Sequence, residues 1–547
     1  MSSIFRIRCL FGVVAVMGIV LSACDPAPAN EPNPPPAVSL PSAQPTPTSP
    51  TATEAGSESV TQAVGAIESL DCKTWVSSDP STLTRPNVSC GLLSVPELHG
   101  DLTGKTIKVG FVQFKSGAAT SVVKDAVVFL GDPAFSSIGW VSAWDYDLIA
   151  SVLKERDLVV LEFRGTGHSA PALKCNGEMD EVLAEVAKKA LSSEDWAKLS
   201  RDQAERCKTS WQTAGVNLSA YNSNEITQDV DDLRRALGYD KLNVWGNGYG
   251  TKLALLLMKL RPDIVRSAIL DSPVPPQANL YTTLALAYER PLNKIFEACQ
   301  ADEKCNKAYP DFKQVFFELV DKLNGKPMLA TVTKPKGGFV DYRANGNDLI
   351  NAALQYLSFG QFGIENLAAE VYASAFLGQK SLLELTLRNS VWTLDNRATA
   401  AGLAVFCMDE GANVSSEEVM VTYSDAMRAY GDVFGVAVRA DVCKAWGLPH
   451  LKDNAEIVTS DIPTLIVSGD WDPNTPLEWS EQAAQRLKNS YRFNFPVYSG
   501  NVLFTYADKC ATVMLKQFLS NPSQSPENTC LRALPHFDFA IKTIKRK

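Results

Sequence analysis

One short stretch, residues 241–263, combines an apolar strand, a glycine turn and a helix. It reads KLNVWGNGYGTKLALLLMKLRPD, with the strand at residues 242–245 and the helix at residues 251–260. Three alternate glycines, Gly246, Gly248 and Gly250, separate the two elements. Glycine adopts backbone conformations that other residues avoid, so this spacing permits a very sharp turn. A strand that turns directly into a helix predicts a sheet covered by helices.

Short apolar strands recur along the chain and alternate with helices. They are predicted at residues 106–114, 126–131, 157–165, 242–246, 267–272, 463–469 and 493–500. Between them lie helices such as residues 224–238, in which Ile226, Val230, Leu233 and Leu237 fall on one face. Buried strands separated by amphipathic helices predict an α/β fold with a mostly parallel, doubly wound sheet.

The alternation of strands and helices is interrupted between residues 277 and 456. This span contains helical patterns but no clear strand–helix repeat until Pro463. We therefore predict a mainly helical cap at residues 277–456, inserted between the two parts of the sheet domain, residues 61–276 and 457–547.

The N-terminus has the pattern of an export signal. Arg6 and Arg8 precede an apolar run that ends at Cys24 in the sequence Leu-Ser-Ala-Cys. This pattern predicts a signal peptide at residues 1–23 and resembles the bacterial lipobox, in which the cysteine carries the lipid. The alternative is a plain signal peptide or a short membrane anchor, although the run is shorter than a spanning helix requires.

A Pro/Ser/Thr-rich segment, residues 24–60, follows the signal and holds almost no large apolar side chains. Such a segment cannot bury enough surface to offset its ordering entropy, and it predicts an extended tether. The chain is therefore predicted to lie in a bacterial cell envelope, extracytoplasmic and bound to the membrane through the lipid alone. The net charge of −9 argues against a nucleic-acid partner.

The chain has 12 cysteines. Removing Cys9 in the signal and Cys24 leaves ten, an even number that favours disulfides in an exported protein. The Cys-x-x-Cys pairs typical of zinc sites are absent, and we predict no metal and no cofactor. The sequence alone does not prove which cysteines pair. If each pairs with its neighbour in the sequence, the disulfides are Cys72–Cys90, Cys175–Cys207, Cys299–Cys305, Cys407–Cys443 and Cys510–Cys530.

Several separated motifs together resemble the α/β-hydrolase fold, in its secreted tripeptidyl and prolyl aminopeptidase-like branch. They are CGLLSVPELHG near the start of the folded part, LEFRGTGHSAP at 161–171, the run at 226–276, and PTLIVSGDWDPNTPLEWS at 463–480. The last two are the most specific as a pair. The resemblance implies a strand–turn–helix elbow with the pattern G-x-S-x-G, and a catalytic Ser–His–Asp triad.

The triad positions implied by this resemblance are mostly degenerate. Asp472 matches the acid, with Asp470 as a competitor and a turn-capping role as the alternative. Gly248 stands at the nucleophile position and Asn501 at the position of the histidine. Glycine has no attacking group, and asparagine does not accept a proton near neutral pH. His168 is the one histidine in a loop that this fold brings towards the active-site edge, with packing as its alternative role.

The loop that would supply an oxyanion hole also departs from the family pattern, with Asp132, Pro133 and Phe135 in place of glycines. Proline has no N–H, and a carboxylate repels a developing negative charge. These departures predict an inactive relative of the aminopeptidases. The alternative is an active serine hydrolase or exopeptidase with a relocated nucleophile, with Ser272, Ser499 and Ser136 as the nearby hydroxyls.

An inactive hydrolase fold can still bind. The resemblance implies that acidic cap residues hold a peptide's amino terminus, which makes Asp409 and Glu410, with the neighbouring Tyr249, candidate ligand-binding residues. The alternative for the two acids is solvation beside a disulfide. The expected partners are a peptide, a small molecule or another envelope protein. A purely structural envelope protein, its pocket filled by side chains, is the remaining hypothesis.

Overall fold

A computed structural model describes residues 63–75, 82–101, 104–117, 125–141, 146–175, 177–411, 414–496, 499–505, 509–534 and 536–544. The predicted signal peptide (1–23), Cys24 and the tether (24–60) lie outside these residues, so the lipid anchor stays a prediction. Among the helices of the described ranges, none is long and apolar enough to cross a membrane.

Eleven strands are present in the described part of the chain, and nine of them form one central sheet. The strands are β1 (Ile67–Leu70), β2 (Val88–Pro96), β3 (Thr106–Phe114), β4 (Asp125–Leu130), β5 (Leu158–Leu161), β6 (Lys241–Asn247), β7 (Val265–Asp271), β8 (Met328–Thr333), β9 (Phe339–Ala344), β10 (Thr464–Gly469) and β11 (Ser490–Phe495). The sheet order is β1-β2-β3-β5-β4-β6-β7-β10-β11, and β8 and β9 form a separate hairpin. From β5 to β11 all neighbours are parallel, whereas β1, β2, β3 and β5 pair antiparallel.

The predicted mostly parallel sheet is confirmed, and each of the seven predicted strands overlaps an observed one. Strand β3 has the predicted bounds, whereas the strand predicted at 157–165 ends at Leu161 because the chain turns at residues 164–165. The sequence prediction missed β1 and β2. Strand β1 is short and half exposed at the sheet edge, and β2 carries Gly91 and Pro96, so neither has the long apolar run that identifies a buried strand.

In the described part of the chain, six α-helices precede β7 and three follow β10. They are α1 (Ser137–Val141), α2 (Tyr146–Val152), α3 (Glu178–Lys188), α4 (Ser193–Thr213), α5 (Ser223–Leu237) and α6 (Tyr249–Leu260), and then α17 (Leu477–Ala484), α18 (Val502–Thr505) and α19 (Lys509–Ser520). Apolar side chains of α5 and α6 pack on one face of the sheet, and those of α1, α2 and α19 pack on the other. The sheet is therefore covered on both sides.

Between β7 and β10 the chain forms a helical region that contains the β8–β9 hairpin. Its helices are α7 (Leu280–Ala301), α8 (Glu303–Ala308), α9 (Phe312–Gly325), α10 (Gly346–Leu357), α11 (Gln361–Leu377), α12 (Ser381–Asn396), α13 (Thr399–Phe406), α14 (Ser416–Met420), α15 (Asp425–Arg428) and α16 (Val436–Trp446). We call this region, which spans residues 280–446, the cap. It has a hydrophobic core of its own, which α3 joins although α3 precedes the cap in sequence.

The last described residues, 536–544, run back over the cap, and we call this segment the strap. The Tyr309 hydroxyl donates a hydrogen bond to the carbonyl of Ala540 at 2.8 Å, and the Ala540 N–H donates to the carbonyl of Glu365 at 2.9 Å. The Phe537 ring lies edge-on to Trp471 with 5.1 Å between the ring centroids. Trp471 directly precedes Asp472, so the strap connects the cap with the candidate site.

Candidate functional site

The turn between β6 and α6 has the backbone of an elbow. Gly248 has φ 52° and ψ −121°, and its N–H donates to the carbonyl of Asp271 at 3.0 Å. A Cβ built on Gly250 would lie 1.9 Å from the Leu130 oxygen, and one on Gly246 would lie 2.4 Å from the Gly250 oxygen. A Cβ on Gly248 would meet no atom within 4 Å. The flanking glycines are therefore required by close backbone contacts, whereas at Gly248 only the backbone conformation favours glycine.

The candidate acid, Asp472, follows β10 and is buried. Its carboxylate accepts hydrogen bonds from the N–H groups of Asn474 at 2.8 Å and Thr475 at 3.0 Å, and from the Thr475 hydroxyl. Burial raises the pKa of Asp472, and these hydrogen bonds act in the opposite direction. The competing candidate, Asp470, is partly exposed and accepts a hydrogen bond from Asn494 Nδ2 at 2.7 Å. Asp472 thus stabilises its own turn and also lies deep in the fold.

The loop after β11 brings Asn501 to the same place. A Cβ on Gly500 would lie 2.5 Å from Asp472 Oδ2. Asn501 has φ 62°, and its N–H donates to the Ser272 hydroxyl at 2.8 Å. The two residues after it, Val502 and Leu503, donate their N–H groups to the Asp271 carboxylate at 2.8 and 3.0 Å. The positions of nucleophile, acid and base therefore surround the end of β7.

Asp271, which the sequence prediction did not single out, is central to this arrangement. Its carbonyl accepts from Gly248 and its carboxylate accepts from the loop after Asn501. Burial, with a smaller contribution from the nearby charge of Asp472, raises the pKa of Asp271 to about 7 against the hydrogen bonds from Leu503 and Val502. An aspartate at the very end of an apolar, mostly buried strand was the available sequence signal, since a buried carboxylate there needs hydrogen-bond partners.

The loop after β4, residues 131–135, lies beside the elbow. The Asp132 carboxylate accepts the N–H of Ala134 at 2.8 Å, and burial raises the pKa of Asp132. A cavity of about 20 Å³, room for about one water molecule, lies between this loop and Asn247. Ser137 also lines this cavity, and its buried hydroxyl has no hydrogen-bond partner.

The cap acids Asp409 and Glu410 lie on a π-helical turn, Cys407–Gly411, and are fully buried. Asp409 accepts hydrogen bonds from Ser223, from Tyr249 at 2.7 Å and from Asn454 at 2.9 Å. Glu410 forms an ion pair with Lys252 of α6, whose side chain is 3% exposed. Both carboxylates thus already have partners inside the protein, and the partner of Glu410 is the ammonium group of Lys252. Their role as ligands for a peptide amine stays a prediction.

The three alternative hydroxyls have different environments. Ser272 is buried with φ 59° and accepts from Asn501. Ser499 is buried and donates to the Ser358 carbonyl at 3.4 Å. Ser136 donates to Glu162 at 2.5 Å, and burial raises the pKa of Glu162 to about 7. His168 stacks on Trp75, with ring centroids 4.5 Å apart.

The five disulfides are formed with the pairing predicted from sequence neighbours: Cys72–Cys90, Cys175–Cys207, Cys299–Cys305, Cys407–Cys443 and Cys510–Cys530. The fourth joins the π-helical turn to α16. Over the described ranges, no group of three or more His, Cys, Asp or Glu side chains is arranged to hold a metal ion.

Comparisons with known proteins identify the family. A family model described as the alpha/beta hydrolase fold matches residues 136–319, and one described as a TAP-like protein matches residues 431–530. Serine protease Hip1 of Mycobacterium tuberculosis is 24% identical over 476 residues, which cover 84% of this chain and 90% of that protein. The putative hydrolase YuaR of Escherichia coli is 21% identical over 499 residues, 85% of this chain and 92% of the relative.

A third relative matches a shorter part of the chain more closely. Tripeptidyl aminopeptidase of Streptomyces lividans is 31% identical over 212 residues, which cover 35% of this chain and 38% of that enzyme. The two family models leave residues 320–430, the middle of the cap, unmatched. The chain therefore has the α/β-hydrolase fold, and these similarities support the aminopeptidase-like branch of that superfamily.

Proposed function

We propose that this protein is a catalytically inactive member of its family, which binds a peptide, a small molecule or an envelope partner without hydrolysing it. The observation that carries the proposal is Gly248. It has the backbone of an elbow and open space around it, but no side chain that could attack a carbonyl. Asn501, in the loop beside Asp472, offers no general base.

Magnitudes favour an inert site over a weakened one. Loss of the nucleophile or the base alone lowers the turnover of a serine protease by about 10⁶-fold, and the remaining rate comes largely from the oxyanion hole. In this protein the loop beside the elbow carries Asp132, a carboxylate where a developing negative charge would need donors. Under this proposal the nucleophile, the general base and the oxyanion hole are all lost as sources of rate enhancement.

The test is hydrolysis of aminopeptidase and ester substrates by the purified protein and by two variants. Asp472→Asn removes the retained acid, and Asp470→Asn, two residues earlier and partly exposed, is the matched control. We expect all three proteins to be indistinguishable from buffer. Turnover that is present in the protein and in Asp470→Asn but lost in Asp472→Asn would contradict the proposal.

We also propose that Cys24 carries a lipid and holds the protein in a bacterial cell envelope. The support is the sequence alone: a basic start, an apolar run and Leu-Ser-Ala-Cys. Radiolabelled palmitate fed to the expressing bacterium should label the protein but not Cys24→Ser. Equal labelling of the two would exclude this cysteine as the lipid site.

One observation favours a second candidate, a hydrolase with a relocated nucleophile. Ser136, which lines the cavity next to the elbow, donates to Glu162, a buried carboxyl with its pKa raised to about 7. A base with a pKa near the working pH is well suited to accept a serine proton. Should turnover be found, Ser136→Ala would abolish it under this candidate. Ser137→Ala, which removes a hydroxyl without a partner, would leave turnover intact.

A further inference from the structure

The strap lies on the cap as a segment without helix or strand, and its main chain is bound there. The Tyr309 hydroxyl donates to the Ala540 carbonyl at 2.8 Å and accepts the N–H of Lys542 at 2.8 Å. Glu365 of α11 accepts the N–H of Ala540 on its carbonyl at 2.9 Å and the N–H of Asp538 on its carboxylate at 3.3 Å. Hydrogen bonds of this kind are available to the main chain of any peptide.

Two phenylalanine rings at alternate positions fix the strap beside the candidate acid. Phe539 is buried in the hydrophobic core of the cap, whereas Asp538, which precedes it, is exposed. The Phe537 ring lies edge-on to Trp471, with 5.1 Å between the ring centroids, and Trp471 directly precedes Asp472. Paired aromatic rings contribute more than the area that they bury. The cap therefore distinguishes this segment from other peptides through its two aromatic side chains.

The carboxylate of Glu370, on α11, meets an ammonium group of the strap. The Glu370 side chain is only 11% exposed, and it pairs with Lys542 at 2.7 Å. No other lysine or arginine of the described ranges forms an ion pair with this carboxylate, to which the Ser381 hydroxyl also donates. A carboxylate largely removed from water is unfavourable without a cationic partner. The cap therefore favours a peptide with a lysine three residues after the second aromatic ring.

The strap can leave the cap without breaking any other element of the fold. It lies at the end of the chain, and only residues 545–547 follow it. Of its described side chains only Phe539 is buried, whereas Ile541 is 51% exposed and the Lys542 side chain is 48% exposed. Ordering the segment costs conformational entropy that opposes these contacts, and chain ends are the usual place for local release. The strap is therefore an occupant that can be exchanged.

We propose that the strap occupies a peptide-binding site, and that this site also takes a linear peptide of another chain with the same pattern. That pattern is two aromatic residues at alternate positions and a lysine three residues after the second. We call Tyr309, Glu365, Glu370 and Trp471 the strap site. The proposal names a peptide as the ligand class of the proposed binding function, and in this it rests on that function. Because the strap is covalently attached, its effective concentration is high, and a peptide of another chain binds only when the strap is released.

Fluorescence polarisation of a labelled peptide, residues 536–547 of this chain, tests the site on the purified full chain. The full-length variant Phe537→Ser/Lys542→Ser has a weakened strap, an unchanged strap site and an intact Phe539. We expect the peptide to bind this variant at least about 10-fold more tightly than the unmodified protein, whose own strap competes. Lys542→Ser alone, at an exposed position, should give a smaller gain in the same direction. Equal binding to all three proteins, or binding to none, would overturn the proposal.

Glu370 gives the test its specificity. In the variant with the weakened strap, Glu370→Gln should weaken binding of the peptide by about 10-fold, since its lysine loses a charged partner. A peptide that carries Lys542→Met should bind less tightly to the site with Glu370, and Glu370→Gln should weaken it no further. Glu384→Gln is the matched control, since Glu384 lies on α12, is partly exposed and accepts the N–H of Thr331 at 3.2 Å. Independent effects of the Glu370 and Lys542 changes, or an equal loss in Glu384→Gln, would contradict the strap site.

Peptide binding is measured without any hydrolysis assay, so the two proposals fail separately. Turnover of aminopeptidase substrates would contradict an inactive triad and leave the strap site in place. Absence of peptide binding would remove the strap site and leave the triad inactive.

Discussion

At Gly248 the backbone conformation and the surrounding space make separate demands on the side chain. The conformation, φ 52° and ψ −121°, is one that residues with a Cβ adopt only under strain. The space around a Cβ is open, unlike that at Gly250. Glycine at this position therefore relaxes the elbow, and a side chain would bring back the strain although its Cβ would meet no atom within 4 Å.

The first prediction separates these two effects. Gly248→Ala should lower the free energy of unfolding by about 1–3 kcal/mol, the usual range for backbone strain at one residue. Gly250→Ala, with its Cβ 1.9 Å from the Leu130 oxygen, should destabilise much more or prevent folding. Urea unfolding followed by circular dichroism measures both. An equal decrease in the free energy of unfolding in the two variants would contradict the open space around a Cβ at Gly248.

At the scale of elements, α6 is the link between the sheet and the cap. Its first residue, Tyr249, donates to Asp409, and its fourth, Lys252, pairs with Glu410 on the π-helical turn. The turn itself is joined to α16 by the disulfide Cys407–Cys443. The helix that follows the elbow thus connects the sheet to the cap through buried polar contacts.

The second prediction concerns Lys252. Lys252→Met leaves Glu410 buried without its cation, which should cost about 3–5 kcal/mol of stability. Burial already raises the pKa of Glu410 and Lys252 lowers it, so without Lys252 the folded-state pKa rises further above the unfolded value. Such a group stabilises the fold below its unfolded pKa, and that stability is lost as pH rises. The urea concentration at the unfolding midpoint of Lys252→Met should therefore decrease as the pH is raised from 4 to 8, about the range in which a buried carboxyl titrates.

Lys259→Met is the matched control on the same helix. Lys259 is 26% exposed and pairs with the exposed Glu456 at 2.8 Å. Its loss should change stability by no more than about 1 kcal/mol, with no added pH dependence. A similar, pH-independent loss in both variants would contradict a buried charge pair between α6 and the cap.

At the scale of the whole molecule, His99 is one group whose protonation should affect global stability. It follows β2 and contacts Glu225 at 2.5 Å and Asp232 at 3.0 Å on α5, with Asp229 and Arg164 close by. Burial disfavours its charged form, but the hydrogen bonds to Asp232 and Glu225 outweigh this and raise the pKa of His99 to about 9. His99 therefore carries a positive charge at neutral pH.

The third prediction follows from the sign of this shift. A histidine whose folded pKa lies above its unfolded value of 6.5 contributes its full stabilisation below that pH. The contribution disappears as pH rises through about 9 and amounts to no more than about 3 kcal/mol. The free energy of unfolding should be lower at pH 9.5 than at pH 6 in the unmodified protein and in His168→Gln. This difference should be smaller in His99→Gln. An unchanged difference in His99→Gln would refute the raised pKa.

The sequence predicted the sheet because its central strands are long apolar runs, but it could not show what the side chains meet. The disulfides could be predicted because an even number of cysteines remains after Cys9 and Cys24, and because each of these cysteines pairs with its neighbour in the sequence. The Lys252–Glu410 pair did not follow, because its partners are 158 residues apart. A lysine in the apolar helix YGTKLALLLMKL was the available signal, since a charge on a buried helix needs a partner. The β8–β9 hairpin had a signal too, in strands separated by a Gly-Gly turn.

The strap has a consequence for the order in which the molecule is completed. Ribosomes and export channels deliver a chain from its N-terminus, so all the cap helices, which end at Trp446, emerge long before residues 536–544. The contacts of Phe537 with Trp471 and of Ala540 with Tyr309 then form only when the strap is delivered. A molecule that stalls or is clipped before Phe537 has every helix of the cap but lacks its last fastening. The contacts of the strap with the cap therefore form only after every described helix of the cap has been synthesised.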